Sequence, residues 1–400
     1  MISVRDGQAQ ILARIGVPLA AELVPLTRAL ARVLSEDFAA PFDVPPADNS
    51  AVDGYAVGGA DIPPRATRDL VVIGDLAAGA VFERALVAGQ ALRIMTGAPI
   101  PAGADTVYPQ EIVQREADRV RVGPIDKGAN VRRAGEDVAA GKTVIEAGTV
   151  LRPQEIGLMT SLGAWQVSVR RRPRVALMST GDGVAEPGTP RRPGQIYDAN
   201  RFTLRGSIEQ CGGDVSDLGI VPDVRETLRD ALRDAARAAD VVVTSGGVSV
   251  GVYDLVKDVL QEVGAIDFWQ VAMQPGRPFA VGHIDGALFF GLPGNPVASL
   301  LSFMLFVRPA LYKLAGRRRI FPPTWQARAL EPMRKKTGRT EYKRGILAFR
   351  DGDWDVCTTG PQGSGILSSM VAGNCFVVLE EARGDVAAGE RVTVEPFEAL

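Results

Sequence analysis

The stretch DVVVTSGGVSVGVYD, at 240–254, constrains the fold of this 400-residue chain more than any other. Three consecutive β-branched residues (Val241 to Val243) lead into a loop of glycine and serine, and Asp254 follows at a predicted helix start. An apolar strand that ends in a glycine-rich turn is typical of a parallel sheet buried on both faces. Open α/β sheets bind ligands beyond such strand ends, so the stretch predicts a ligand site.

The loop itself is predicted to bind an anion or a phosphate. Gly246, Gly247 and Gly251 allow a ligand to approach the backbone closely, and successive free N–H groups can surround an anion. The loop has no lysine of the Walker type and no G-x-G-x-x-G pattern, so it lies outside the common nucleotide-binding fingerprints.

Composition excludes several classes of protein. The net charge of −2 argues against an affinity for nucleic acid in bulk, and a single histidine, His283, excludes the H-E-x-x-H zinc site. Three cysteines without C-x-x-C spacing fit a reducing cytoplasm. The chain shows no signal-peptide pattern, and its longest apolar stretch, 298–307, is too short to span a bilayer. We therefore expect a soluble cytoplasmic protein with neither membrane nor nucleic acid as a partner.

The length predicts two to four domains, and the pattern of apolar residues changes along the chain. Apolar residues at helical spacing predict an amphipathic helix over 17–36. Short apolar runs between glycine and proline turns predict a β-rich domain up to about residue 142. From 173 onward strands alternate with helices, which predicts a doubly wound parallel sheet up to a boundary at Pro322 and Pro323. Short strands and turn signals over 324–400 predict a small β-barrel or sandwich.

Four loops of the α/β region are predicted to surround one crevice at the carboxyl ends of the strands: 179–183, 244–254, 274–279 and 291–296. They contain Asp182 and Asp254, which can hold Mg²⁺ or ribose hydroxyls, and Arg277, which can clamp an oxyanion. Each aspartate alone would more often be a helix cap or a turn residue. Their shared sheet edge favours a functional role.

The β-rich region holds two further polar clusters. Asp48 and Asp53 flank a tight turn in DNSAVDG, and Thr96 follows an apolar strand. A second cluster, GANVRRAGEDV, contains Asp137. Ordinary turn chemistry and surface ion pairs explain both clusters equally well, so the residues alone leave their role open.

Nine strings occur in order from residue 41 to residue 380, and together they resemble one family. They are PPADNSAVDGYAV, RIMTGAPIP, RRAGEDV, STGDG, QIYDAN, TSGGVSVGVYD, PGRPFA, GLPGNPVAS and GNCFVVLE. The chain is similar to the molybdopterin molybdenumtransferases, the MoeA family that includes the gephyrin E domain. The resemblance covers nearly the whole chain and rests on long motifs.

The resemblance implies a multidomain fold of mixed α/β and β domains. Its expected parts are an elongated linker domain at 21–45 and 143–172, a small β-rich domain at 46–142, an α/β molybdopterin-binding domain at 1–20 and 173–321, and a C-terminal β-barrel at 322–400. It also implies a homodimer whose active cleft combines the α/β domain of one subunit with the small β-rich domain of the other.

The reaction implied by the resemblance is Mg²⁺-dependent. Adenylylated molybdopterin and molybdate are the substrates, and molybdenum cofactor and AMP are the products. The implied partners are an upstream molybdopterin adenylyltransferase and the recipient molybdoenzymes or their maturation factors.

The resemblance assigns roles residue by residue. The implied catalytic residues are Asp53, Thr96, Asp137, Asp182 and Asp254, of which Asp182 and Asp254 are also the expected metal ligands. The implied cofactor-binding residues are Ser245, Gly246, Gly247, Ser249, Gly251, Asp223, Lys257, Pro293, Asn295 and Pro296. The implied oxyanion-binding residues are Arg277, Pro278, Ser299, Arg344 and Ser364.

Three positions depart from the family pattern. The acid expected at 183 is Gly183, and Gln270 and Gln274 stand where the family tends to have lysines. Two hypotheses follow. Either the chain is an active insertase, in which Glu186 reaches back to replace the missing acid, or it is a paralogue that binds or carries the pterin without efficient metal insertion. A plain interaction scaffold is a third alternative.

Overall fold

The structure is a computed structural model that describes residues 1–247 and 255–397. The chain forms two compact units. The larger unit comprises Met1–Ser35, Gly148–Leu151 and the chain from Val167 onward, and the smaller unit comprises Glu36–Ala147 and Arg152–Gln166.

The helices are α1 (Val4–Ala13), α2 (Pro153–Ser161), α3 (Ala199–Gln210), α4 (Arg225–Ala238), α5 (Leu255–Val263), α6 (Pro296–Ser302), α7 (Arg308–Leu314) and α8 (Ser368–Ala372). A π-helical turn, Phe303–Val307, joins α6 to α7, and short 3-10 segments lie at Leu26–Arg28, Gly59–Asp61 and Gln110–Ile112.

The strands are β1 (Ala21–Pro25), β2 (Phe38–Ala39), β3 (Asn49–Ser50), β4 (Gly54–Val57), β5 (Arg68–Leu76), β6 (Gln90–Ile94), β7 (Thr106–Pro109), β8 (Gln114–Glu116), β9 (Arg119–Val122), β10 (Val131–Arg132), β11 (Thr143–Ile145), β12 (Gln166–Arg170), β13 (Arg174–Thr180), β14 (Val184–Ala185), β15 (Ile196–Tyr197), β16 (Asp214–Val221), β17 (Val241–Ser245), β18 (Gly264–Gln270), β19 (Met273–Gln274), β20 (Pro278–Ile284), β21 (Ala287–Leu292), β22 (Trp325–Ala329), β23 (Thr340–Arg350), β24 (Asp353–Thr358), β25 (Cys375–Leu379) and β26 (Arg391–Pro396).

A six-stranded sheet of order β16-β13-β17-β21-β20-β18 forms the centre of the larger unit. Its first four strands are parallel, as predicted, whereas β20 runs antiparallel to both of its neighbours, β21 and the edge strand β18. Alternate strand residues face opposite sides: Val241 and Val243 pack with α1, α3, α6 and α7, and Val242 packs with α4 and α5. Because helices cover both faces, the central strands β17 and β21 are fully buried and consist mainly of apolar residues.

The carboxyl ends of the parallel strands carry the loops that the sequence singled out. Ser179, Ser245 and Leu292 lie side by side at the ends of β13, β17 and β21. The turn before β20 lies at the same edge, because β20 runs antiparallel to β21 and Pro278 pairs with the last residue of β18. The register therefore brings loops 179–183, 274–279 and 291–296 to one edge.

The helix predicted over 17–36 is wrong. This segment holds β1, which pairs with β12, and a single 3-10 turn, and Leu23 of the supposed apolar face is 64% exposed. Pro18 and Pro25 explain the failure, because proline lacks an N–H donor and clashes with the preceding turn of a helix. The N-terminal helix is α1 instead, which Ser3 caps through the backbone N–H of Asp6.

The long C-terminal helix of the α/β region extends beyond its uninterrupted apolar stretch. Pro296–Leu314 is helical over 19 residues with a mean hydropathy of 1.4, which is long and apolar enough to cross a membrane by length and composition. However, 72% of its most apolar window is buried inside the protein, as in a core helix. Its apolar character is explained by the sheet face that it covers.

The C-terminal region closes into a barrel of five strands in the order β23-β24-β22-β26-β25, since β23 pairs with both β24 and β25. Strand β19, from the α/β region, adds to the barrel sheet by pairing with the start of β23. The turn after β19 and the start of β23 are therefore held next to each other.

The smaller unit is β-rich, as predicted, with a six-stranded sheet of order β7-β4-β6-β5-β9-β8. Its pairing leaves no room for a side chain at Gly54, where a Cβ would lie 1.9 Å from the carbonyl oxygen of Tyr108. The glycine that follows Asp53 is thus required by strand packing.

Candidate functional site

The glycine loop begins directly at the end of β17. Gly246 and Gly247 have φ angles of +91° and +70°, and a Cβ at Gly247 would lie 2.6 Å from the side chain of Val256. Both positions therefore require glycine. The predicted site residues Ser249, Gly251 and Asp254 lie outside the described residues.

A cavity of about 470 Å³ lies beside this loop, at the carboxyl edge of the sheet. It is lined by Gly246, Gly247, 273–278, 293–295, Ala298, Arg339 and 362–364. Of the predicted residues it brings together Gly246, Gly247, Arg277, Pro278, Pro293, Asn295 and Ser364. The cavity thus joins three loops of the α/β region to two segments of the barrel region.

Asn200 ties two of these loops together. Its side-chain amide donates hydrogen bonds of 2.8 Å to the Oγ of Ser245 and of 2.8 Å to the carbonyl oxygen of Gly294. Asn200 stands in the first turn of α3, which Asp198 caps by accepting a hydrogen bond from the backbone N–H of Arg201. The string QIYDAN pointed to this residue, but its spacing carried no information about its partners.

Two guanidinium groups line the cavity without an acidic partner. Within the described ranges, neither Arg277 nor Arg339 makes an ion pair or a side-chain hydrogen bond. Arg277 was predicted from its turn, whereas Arg339 was missed because it is far away in sequence. A pair of free guanidinium groups around a cavity is suited to a tetrahedral oxyanion.

Arg344 supports the cavity wall from inside the barrel. It is 1% exposed, and it donates to the Oγ of Ser369 at 2.9 Å and to the carbonyl oxygen of Gly363 at 3.0 Å. Burial lowers the pKa of Arg344 from its ordinary value. Ser364 is held by a second contact, because its carbonyl oxygen accepts from the backbone N–H of Val297 at the start of α6. Arg344 therefore holds the loop that carries Ser364.

The cavity lining does not include Lys257, Pro296 or Ser299, which the resemblance implied as binding residues. Pro296 begins α6, and Ser299 is 1% exposed, with an Oγ that has no hydrogen-bond partner among the described residues. The Nζ of Lys257 lies over the ring of Phe268, 5.4 Å from its centroid.

Asp182 and Asp223 form a pair of carboxylates beyond the ends of β13 and β16. Partial desolvation and the neighbouring carboxylate of Asp182 both raise the pKa of Asp223, while the backbone N–H of Asp182 acts in the opposite direction. In the part of the chain that the structure describes, no group of three or more His, Cys, Asp or Glu side chains is placed to hold a metal ion. Two adjacent carboxylates nevertheless fit a divalent cation that keeps water and substrate oxygens as its other ligands.

Glu186 does not supply the acid that is missing at 183. Its carboxylate pairs with Arg201, which also bonds Asp198 at 3.0 Å and Asp217 at 2.7 Å. Gly183 itself faces open space, since a Cβ there would meet nothing within 4 Å. Gln274 is exposed in the cavity lining.

The remaining predicted residues belong to the smaller unit. The backbone N–H and the hydroxyl of Thr96 donate to the Oδ1 of Asp53 at 2.8 Å and 2.7 Å, and they lower the pKa of Asp53. Asp137 is exposed, and its backbone N–H donates to the carbonyl oxygen of Val44. The structure thus brings Asp53 and Thr96 together, as an ionised carboxylate beside a hydroxyl.

Comparison with known families accounts for almost the whole chain. Residues 2–163 match the MoeA N-terminal region (domain I and II), 176–313 match the probable molybdopterin binding domain, and 326–397 match the MoeA C-terminal region (domain IV). The chain is 42% identical over 404 residues to the molybdopterin molybdenumtransferase of Haemophilus influenzae, which covers all of both chains. It is 37% identical over 381 residues to molybdopterin molybdenumtransferase 2 of Mycobacterium tuberculosis, covering 93% of this chain and 94% of the relative.

A solved structure agrees with the sequence relatives. The molybdopterin biosynthesis moeA protein from Pyrococcus horikoshii OT3 matches with a TM-score of 0.87 and 31% identity, over 99% of this chain and 100% of that one. Both the sequence and the complete multidomain architecture are therefore shared, and the chain belongs to the MoeA family of molybdopterin molybdenumtransferases.

Proposed function

We propose that this protein is an enzyme of molybdenum cofactor biosynthesis that inserts molybdate into adenylylated molybdopterin and releases AMP. The observation that carries the proposal is the cavity at the sheet edge, where Arg277, Ser364 and the backbone of Gly246 and Gly247 face one space. Molybdate is a tetrahedral dianion, and guanidinium, hydroxyl and backbone N–H groups are suitable donors to its oxygens.

Different loops around the cavity bind the two substrates. The glycine backbone after β17 approaches the phosphate of the pterin substrate, and Pro293 and Asn295 border the same space. Asn200 fixes the separation of these two loops through its bonds to Ser245 and Gly294. Arg277 and Ser364 then hold the oxyanion at the barrel side of the cavity. This arrangement orients two anionic substrates against each other before any bond changes.

Asp182 and Asp223 would hold Mg²⁺, because they are adjacent carboxylates at the same sheet edge. Bound there, the metal ion would neutralise charge on the phosphate that leaves as AMP. We also propose Asp254, which lies outside the described residues, as a ligand of the same Mg²⁺.

We further propose that the protein acts in the cytoplasm as a homodimer, as its family resemblance implies. In such a dimer, Asp53, Thr96 and Asp137 of one copy serve the cavity of the other. The test mixes inactive Asp53→Asn protein with inactive Arg277→Gln protein under conditions of subunit exchange. Recovery of about a quarter of the unaltered activity supports shared sites, and no recovery with exchange demonstrated by light scattering contradicts them.

Partners follow from the chemistry of the substrates. The adenylylated pterin comes from a molybdopterin adenylyltransferase, and the product passes to molybdoenzymes or their maturation factors.

The central experiment incubates the purified protein with adenylylated molybdopterin, Mg²⁺ and molybdate, and follows AMP release. We expect AMP to appear only when all three are present. Tight retention of the pterin without AMP release would refute metal insertion and support the second candidate function, a protein that binds or carries the pterin.

That second candidate rests on two observations: position 183 has no carboxylate, and Arg201 engages Glu186. The variant Gly183→Glu separates the two functions, because a side chain at 183 meets open space and the backbone there has no positive φ. An increase in AMP release of tenfold or more shows that the missing acid limits turnover. Unchanged, substantial release shows that the chain does not need it.

A further inference from the structure

The cavity contains a cation that sequence reasoning did not assign. Its described lining residues include two positively charged groups, Arg277 and Arg339, and no acidic one. Position 274, in the turn that carries Arg277, is a neutral glutamine that also lines the cavity. Any oxyanion in the cavity therefore depends on these two guanidinium groups for charge neutralisation.

Arg339 is held in place by backbone pairing between the two regions. Met273 pairs with Thr340 and Gln274 with Glu341, and the backbone N–H of Thr340 donates to the carbonyl oxygen of Ala272 at 2.9 Å. On the other side, Gly338 has a φ of +94° and donates its N–H to the carbonyl oxygen of Glu381 at 2.9 Å. Arg339 thus lies between two backbone anchors, one of which is the turn that carries Arg277.

The neighbouring cations behave differently. Lys343 pairs with Glu341 at 2.6 Å, and Arg344 is buried with its donors bonded to Ser369 and Gly363. Arg339 is half-buried and makes no side-chain bond to any described residue. The backbone of Arg339 is fixed, and its guanidinium is partly desolvated and unpaired. Such a group is preorganised to bind an anion from solution.

We propose that Arg339 is an oxyanion-binding residue that, together with Arg277, sets the affinity of the cavity for free molybdate. The inference rests on the proposed function for the identity of the anion. Arg277 approaches from the α/β region and Arg339 from the barrel, so the anion is bound by both at once.

The test measures binding of molybdate alone by titration calorimetry to the full chain and to three variants. Arg339→Gln is expected to weaken molybdate affinity by about 10- to 100-fold, and Arg339→Lys by less, because one charge remains without the planar fork. The matched control is Arg334→Gln, an exposed arginine of the same segment outside the cavity lining. It should bind molybdate within twofold of the unaltered protein.

A second arm distinguishes free oxyanion from the phosphate of the nucleotide. Arg339→Gln should leave AMP affinity within twofold, and Arg339→Gln with Gln274→Lys should recover molybdate affinity by about tenfold, since the lysine returns a charge to the same wall. Unchanged molybdate affinity in Arg339→Gln, an equal loss in Arg334→Gln, or a loss confined to AMP overturns the proposal. Binding is measured without turnover, so a protein that binds molybdate through Arg339 but releases no AMP refutes the proposed reaction and leaves this inference standing.

Discussion

Arginine has opposite roles in two regions of the larger unit. Arg201 is 4% exposed and contacts the carboxylates of Asp198, Asp217 and Glu186, whereas Arg277 and Arg339 line a cavity without an acidic partner in the described ranges. Burial disfavours the charge on Arg201, but its hydrogen bonds to the three carboxylates outweigh that effect and raise its pKa above the ordinary value.

The difference separates a structural use of charge from a binding use. The ion pairs of Arg201 with Asp217 and Glu186 join α3 to β16 and to the segment after β14. They therefore stabilise the fold near Asp182. The two cavity arginines have no acidic partner among the described residues, so they remain able to pair with an anion from solution. Each of the following variants tests one side of this comparison.

The largest effect is expected from Arg201→Met. The change leaves Asp198 buried without its cationic partner, and the free energy of unfolding should fall by about 3–5 kcal/mol. Chemical denaturation of the variant measures the loss. Arg237→Gln, which removes an exposed ion pair with Asp234, is the control and should change stability by less than about 0.5 kcal/mol. Equal effects in the two variants would show that the Arg201 group is not structural.

Arg277→Gln is expected to show the reverse behaviour. Molybdate affinity should fall by about 10- to 100-fold, because a charge-assisted hydrogen bond is lost, while the free energy of unfolding changes by less than about 0.5 kcal/mol. Calorimetric binding and chemical denaturation on the same preparation decide the matter. A large loss of stability without a loss of affinity would place Arg277 with Arg201 as a structural residue.

Asn200→Ala tests whether the loops around the cavity need a fixed separation. Two hydrogen bonds disappear, so we expect a loss of about 1–2 kcal/mol in stability and a several-fold weaker affinity for AMP. The control is Thr203→Ala on the same helix, whose hydroxyl bonds only the carbonyl oxygen of Ala199. Unchanged AMP affinity in Asn200→Ala would mean that the two loops are held apart by other contacts.

The smallest expected effect is a change in the pKa of Asp223, which lies next to Asp182. Because desolvation and Asp182 raise the pKa of Asp223, its carboxylate form is lost at a higher pH than for an ordinary carboxyl group. Asp182→Asn removes the neighbouring charge and should move the pKa of Asp223 downward. Carboxyl-carbon NMR titration measures the shift, with Asp214→Asn as the distant control; an upward shift or none would contradict the pairing.

Sequence reasoning succeeded where the signal was local. The structure confirms the strand at Val241 to Val243 and the alternation of strands and helices from 173 to 321. Their signals were runs of apolar residues and the glycine-rich turns between them, which act within a few residues of chain. Arg277, Gly246 and Gly247 line one cavity for the same reason, since they stand close to strand ends at one edge of the sheet, and their roles stay predictions.

Reasoning failed where a distant partner decided the outcome. Periodicity over 17–36 suggested a helix, but prolines and pairing with β12 made it extended. Glu186 was a candidate replacement for the missing acid, yet Arg201, fifteen residues away, engages it. Domain boundaries, metal ligands and subunit roles stay predictions.

The sequence by itself determined the α/β and β architecture, the family and the loops that meet at one sheet edge. Each of these depends on patterns of residues that are close together in the sequence. Only the tertiary structure decided which cations face the cavity and which are already paired. The pairing of β19 with β23 brings the segment of Arg339 to the turn of Arg277 across more than sixty positions, whereas Arg344 is buried and bonded to Ser369. The sequence gives the sign of each side-chain charge. Whether an arginine is free to bind an anion depends on the side chains that the tertiary structure places next to it.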